Sequence, residues 1–174
     1  PSHEAVYTFV YISYSTILNN MKQDYKLTIE LVPKTCWYTN VRSNVTKTEW
    51  DTIRNICYDR ANHICEICKD SGKNQGYKHN VECHEIWHYD DVNKIQTLTG
   101  LIALCPYCHK CKHPGLAQIN GELNTVINQL TKVNNISEKN AIQYLNQTFD
   151  TWEKRSKHNW TLDISLVKDY WWKI

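Results

Sequence analysis

The chain has no strong excess of charge, no long hydrophobic run and a single methionine. Its formal net charge of +2 is too small to mark a nucleic-acid binder by itself. The most apolar stretch near the start, residues 5–18, is too short and too rich in hydroxyls to span a bilayer. No basic segment precedes it and no small-residue cleavage site follows, so it does not read as a secretory leader. The lone methionine, Met21, stands directly before Lys22-Gln23-Asp24-Tyr25 and a strand-like pattern. A natural start at Met21 is one expectation, with residues 1–20 then an N-terminal extension, the alternative being a processed or longer N-terminus; residues 21–174 are expected to form a single domain. Aromatic residues make up 11% of the chain, seven of them tryptophan, which is enough apolar surface for a core.

What the chain does have is cysteine and histidine in an ordered arrangement. Cys65-Glu66-Ile67-Cys68 and Cys105-Pro106-Tyr107-Cys108 are two Cys-x-x-Cys knuckles. Between them runs Val81-Glu82-Cys83-His84-Glu85-Ile86-Trp87-His88, and His109-Lys110-Cys111-Lys112-His113 follows directly. Two short loops that each present two thiolates match a tetrahedral zinc ion, with ligands at ~2.3 Å. Four cysteines leave that zinc no open position, so it is expected to be structural. Cys111, three residues past Cys108, competes for the fourth position. Knuckle spacing with adjacent histidines favours reduced thiols over a disulfide framework, which predicts a cytoplasmic protein.

Residues 26–32 read as a strand ending at Pro33. Thr46-Lys47-Thr48-Glu49 is a capping-box pattern opening an amphipathic helix over residues 48–62, with Cys57 on its apolar stripe. Residues 69–80 are polar and contain two glycines, a loop signal. Residues 81–89 predict a strand, 90–94 a connection and 101–104 a short apolar element entering the second knuckle. The helix that follows should carry His109 and His113 on one face, until Pro114-Gly115 stops or kinks it. Leu123, Val126, Ile127, Leu130 and Val133 mark another helix. Ser137 caps a further one, with Ala141, Leu145, Phe149 and Trp152 facing inward. In the tail, Trp160, Leu162, Ile164 and Leu166 alternate like a half-buried strand, which favours packing onto the domain over a dimer interface. Trp171 and Trp172 close the chain.

The segment from Cys65 to His113 resembles the HNH endonucleases, the zinc-knuckle branch of the ββα-metal (His-Me finger) nucleases. The resemblance rests on Cys65-x-x-Cys68, the strand ending Glu82-Cys83-His84-Glu85-Ile86, and Leu104-Cys105-x-x-Cys108-His109-x-x-x-His113. It covers about a third of the chain. It implies an α+β fold with a ββα-metal core over residues 63–116, stapled by the four-cysteine zinc, and a helical part over residues 120–174. It further implies a metal-dependent endonuclease acting on DNA, with RNA not excluded, in which a strand-borne pair supplies a metal ligand and a general base.

Aligned on Ile86, His84 takes the ligand position and Glu85 the base position, where a histidine is usual. A one-residue shift would make Cys83 the ligand and His84 the base. The first register assembles His84, His109 and His113 into a three-histidine site, like that of the colicin-type nucleases. Gly100 stands where asparagine is usual. The second metal would be Mg²⁺, Mn²⁺, Ni²⁺ or Zn²⁺, and three imidazoles suit the last three better than Mg²⁺. Lys110 and Lys112 are the expected nucleic-acid contacts. The protein is expected to be a monomer or homodimer with no membrane partner. The rival expectation is a zinc-stabilised binding module, for nucleic acid or protein, whose catalytic centre has decayed.

Overall fold

The computed structural model describes residues 24–170. The expected extension at 1–20, Met21, Trp171 and Trp172 lie outside them. The fold is α+β. Its sheet has β1 (Glu82–Asp90) antiparallel to β2 (Ile95–Leu104), and β3 (Thr161–Asp163) runs parallel to β2 on the far edge. The β1 strand falls within one residue of its expected bounds. The β2 strand reaches six residues further back than expected, because Gln96, Thr97, Thr99 and Gly100 dilute its apolar pattern. The connection tightens around Asp90, whose carboxylate accepts from the backbone N–H groups of Val92 and Asn93 at 2.9 and 3.0 Å.

Seven α-helices surround the sheet among the described residues: α1 (Val41–Asn44), α2 (Lys47–Arg60), α3 (Pro106–Lys112), α4 (Pro114–Ile119), α5 (Leu123–Asn134), α6 (Glu138–Arg155) and α7 (Ser165–Tyr170). Thr46 and Glu49 form the expected capping box at the start of α2, and Cys57 is buried on its inner face. Pro106 and Pro114 each occupy a first helical position, where the missing N–H has no intrahelical partner to lose. Pro114 therefore ends α3 and at once begins α4. Ser137 caps α6 as expected, its hydroxyl accepting from the Asn140 N–H at 3.2 Å.

The predicted strand over 26–32 is a correction. The segment is extended but joins no sheet, because side chains occupy the places a neighbouring strand would take. Asn134 from α5 both donates to the Leu27 carbonyl at 2.9 Å and accepts from the Leu27 N–H at 2.8 Å. The Tyr144 hydroxyl accepts from the Ile29 N–H at 2.9 Å. The indoles of Trp37 and Trp152 both donate to the Val32 carbonyl, at 3.0 and 2.9 Å. Strand-like residues supply the extended shape, and the helices satisfy its backbone instead of a sheet. Leu27 is fully buried against Leu104, Val126 and Leu130, a burial that contributes ~1.5–3 kcal/mol.

The described part of the tail packs onto the domain. Ile164 and Val167 join Val41, Ile53 and Leu98 in a second core patch. The Trp160 ring meets Tyr89 edge-on at 5.1 Å. No helix among the described residues is long and apolar enough to cross a membrane.

Candidate functional site

Two ligand clusters meet at the start of α3. The first is Cys65, Cys68, Cys105 and Cys108, whose sulfurs all lie within 4.8 Å of one another. Cys68 Sγ and Cys105 Sγ are 3.4 Å apart. A tetrahedron with Zn–S bonds of ~2.3 Å has S···S edges of ~3.8 Å, so the donor set fits zinc. All eight cysteines are free thiols. Hydrogen bonds from Cys105, Cys108 and Cys68 drive the Cys65 thiol far below its usual range, while Cys108 is driven up by the same contacts. Sulfurs that compete so closely for protons are ones a divalent cation stabilises as thiolates. Cys111 is not a member. Its thiol donates to the Tyr107 carbonyl one turn back at 3.3 Å and to the Val126 carbonyl of α5 at 3.6 Å.

The first knuckle is fixed against the second by the backbone. The Glu66 N–H donates to the Ala103 carbonyl at 2.9 Å, and the Glu66 carboxylate accepts from the Ala103 N–H at 2.7 Å. The loop over 69–80 closes under the start of α3. A Cβ at Gly72 would come within 2.3 Å of the His79 carbonyl oxygen and 2.9 Å of Pro106 Cδ, so only glycine fits. Gln129 on α5 donates to Cys108 Sγ at 3.1 Å. That contact was not foreseen. Its one trace in the sequence is a polar residue on the apolar stripe of Val126 and Leu130.

The second cluster is His84, His109 and His113, with ring nitrogens again within 4.8 Å of one another. Their ring centroids are 5.0–5.3 Å apart. His84 comes from β1, His109 from α3, and His113 from the junction at which α3 ends and α4 begins. Two carboxylates hold the imidazoles from behind. Glu82, two residues before His84 and so on the same strand face, bonds His109 Nδ1 and also His79 Nε2 at 2.9 Å. Glu30, from the extended segment, bonds His84 Nε2 at 3.1 Å. Among the described residues, Nε2 of His109 and Nδ1 of His84 make no hydrogen bond to the protein. Carboxylate-backed imidazoles of this kind are how metal-ligating histidines are oriented. Burial lowers the pKa of His84, and burial together with the neighbouring imidazoles takes His113 down to about 3. These two rings are therefore kept neutral, with lone pairs available for a cation.

Three expectations change here. Lys112 is only 3% exposed. Its ammonium donates to Glu30 Oε1 at 2.6 Å and to Thr28 Oγ1 at 2.7 Å, so it faces the protein rather than a nucleic acid. The cause is the extended segment crossing α3, which a local reading of Lys110 and Lys112 has no means to see. Burial works to raise the pKa of Glu30, but the bonds to His84 and Lys112 hold it down to about 2. Lys110 pairs with Glu122 at 2.5 Å and lies over the Tyr77 ring, so it too is engaged within the domain.

Glu85 is the third. Strand alternation puts it on the face of β1 opposite His84. There its carboxylate accepts from the Val41 N–H at 3.0 Å, at the start of α1. Burial pushes its pKa up to about 7 despite backbone donors from Val41 and Arg42. The expected base thus serves as an acceptor at the start of α1, whose own N-cap is Asn40. Cys83, on the same face, meets Cys57 and not the histidines, so the three-histidine register is the one that assembles. Gly100 lies within β2 opposite Ile86, beside an irregularity in the pairing. Thr99 there donates to the Ile86 carbonyl at 3.1 Å. No family model, no curated protein and no solved structure matches the chain. Function must therefore be read from the residues themselves.

Proposed function

We propose that this chain is a metal-dependent endonuclease of the HNH kind that hydrolyses phosphodiester bonds in DNA. One observation carries the reading: His84, His109 and His113 converge from a strand and the helix that follows it, directly beside a four-cysteine cluster. A divalent ion held by these three imidazoles would leave coordination positions open for water and phosphate, and would supply charge neutralisation and a more acidic water. The four-cysteine group has no such opening, and its part is to fix the first knuckle loop against the start of α3.

The rest of the chemistry falls to the chain. Glu30 and Glu82 hold His84 and His109 in orientation, and Lys112 neutralises Glu30 so that its charge does not repel the substrate phosphate. With Glu85 turned to the other face, Glu82 becomes the strand-borne carboxylate nearest the water. The half-exposed His79 bonded to Glu82 gives a removed proton a path to solvent. The retained thiols favour a reducing compartment such as the cytoplasm.

The rival reading, a zinc-stabilised binding module with a decayed centre, is favoured by the loss of Glu85 to an acceptor role at the start of α1. Plasmid nicking with Mg²⁺, Mn²⁺, Ni²⁺ or Zn²⁺ separates the two. Cleavage that His84→Ala abolishes, at unchanged zinc content, supports the enzyme. Binding without cleavage under every cation supports the module.

A further inference from the structure

A cavity of about 280 Å³ lies between α6, β1 and the extended segment, and Glu30 forms part of its wall. The same Glu30 carboxylate bonds His84, so cavity and histidine cluster share one side chain. Trp87, Tyr89, Tyr144 and Trp152 line it with aromatic surface, and Gln147 and Thr151 stand at its exposed α6 side. The Gln147 amide makes no hydrogen bond among the described residues, so its donor and acceptor are both free. A cavity of this size suits one small ring system rather than a larger ligand.

What surrounds the cavity points to a polymer. Trp37 and Trp152 converge on the same Val32 carbonyl, which places the Trp37 ring, 55% exposed, next to the cavity wall. The Lys34 ammonium sits 4.8 Å over the Trp152 ring and pairs with no carboxylate among the described residues. Aromatic faces interleaved with an unpaired cation form the pattern on which single-stranded nucleic acid stacks while its phosphates are neutralised. A base within a duplex cannot reach such a cavity without leaving its stack.

We infer that this cavity receives an unstacked nucleobase of a single-stranded nucleic acid, whose backbone then passes from Lys34 toward the histidine cluster. Arg155 lies 4.7 Å over the Tyr89 ring, so sequence-tolerant stacking falls to the remaining aromatic wall, and Gln147 meets the edge of the base. The substrate of the proposed nuclease is thus a single strand, or a site where one nucleotide is extruded. This inference rests on the nuclease reading for its consequence in cleavage, but not for the binding itself.

The test is fluorescence anisotropy on the zinc-loaded full chain. The probes are a labelled DNA single strand of about 12 nucleotides, within the usual site size, the matching RNA strand, and the same DNA as a duplex. Binding of either single strand at least tenfold tighter than duplex is expected. The double variant Gln147→Leu/Thr151→Leu narrows the cavity with aliphatic side chains from the exposed face of α6, and should lose that preference tenfold or more. Trp37→Ala, at an exposed position, should weaken single-strand binding severalfold. Equal affinity for duplex and single strand overturns the proposal, as does unchanged single-strand binding by a double variant that is folded by circular dichroism. Plasmid nicking is scored separately. Nicking that persists alongside unaffected binding by the double variant defeats the cavity assignment alone. Single-strand binding lost in that variant, with neither plasmid nicking nor cleavage of the labelled single strand by the parent protein under any cation, sustains the cavity and defeats the nuclease.

Discussion

The four-cysteine and three-histidine clusters touch along one short helix, yet they are built from opposite materials. The cysteine cluster draws its ligands from two tight turns, and its closest supports are the two bonds of Glu66, backbone and carboxylate, to Ala103 together with one amide from Gln129. The histidine cluster draws its ligands from a strand, a helix and a helix junction. Two carboxylates hold it from behind, one of which comes from more than fifty residues away in sequence. The first is a closed knot that local chain geometry can form. The second has its full carboxylate support only once the segment carrying Glu30 has docked across α3. Stability should therefore depend mainly on the cysteines, and chemistry on the histidines together with the docking of that segment.

The largest expected effect comes from breaking the closed cluster. Cys65→Ser should remove the ion and unfold α3 and the knuckle loop together, since structural zinc in small sites contributes about 10–16 kcal/mol of apparent binding energy at neutral pH. Elemental analysis should give about one tightly held zinc in the parent and in His84→Ala, and none in Cys65→Ser. A Cys65→Ser protein that keeps its helical circular dichroism and its melting temperature would show that the clusters differ less than their construction implies.

The next effect sharpens the contrast from the other side. Glu30→Gln leaves the Lys112 ammonium buried without its counter-charge and takes from His84 its orienting carboxylate. Breaking a buried pair in this way costs about 3–5 kcal/mol, and loss of a carboxylate behind a metal-ligating histidine lowers metal affinity about 10–100-fold. The expected outcome is a folded protein with a lowered melting temperature, an intact zinc and a weakened second cation, read by calorimetric titration with Ni²⁺ or Mn²⁺. The two effects should also be coupled. In Glu30→Gln/Lys112→Met the stability loss should be largely recovered while the cation affinity stays low. Recovery of both together would mean that Glu30 acts only as the partner of Lys112.

The same contrast explains what could be read from the chain before it folded. The cysteine cluster was legible because its ligands come in pairs two residues apart, a spacing that already specifies a turn. His84, His109 and His113 were legible as well, one by its strand and two by their helical spacing. Glu82 could have been found from period-two alternation with His84. Glu30 and Lys112 could not, since each looks locally like a residue of a solvated face, and only the tertiary crossing of residues 24–33 over α3 brings them together. That segment was read as a strand for a sound reason, its β-branched and leucine content. Its hydrogen-bond partners are side chains of Asn134, Tyr144, Trp37 and Trp152, which no pairing pattern announces.

Glu85 carries the smallest and most discriminating expectation, because local resemblance and folded geometry give it different tasks. As a base it would have to meet water on the histidine face. As an acceptor at α1 it meets the N–H of Val41 on the other face, where one wall of the second core patch also begins. Glutamine keeps the acceptor oxygen and the shape but has no basic carboxylate. Glu85→Gln should then leave cleavage within about twofold of the parent, whereas loss of a positioned general base typically costs 10²–10⁴-fold. Glu85→Ala removes one acceptor at the start of α1, whose N-cap is Asn40, and should cost about 0.5–2 kcal/mol, the usual range for a lost N-terminal acceptor. It should do so without changing the stoichiometry of either metal. Glu82→Gln is the matched control on the histidine face, expected to depress cleavage and cation affinity together. A Glu85→Gln protein that is fully folded and holds both metals, but is inactive where Glu82→Gln retains turnover, would return the base to Glu85. It would also require β1 to rotate that side chain across the strand when substrate binds.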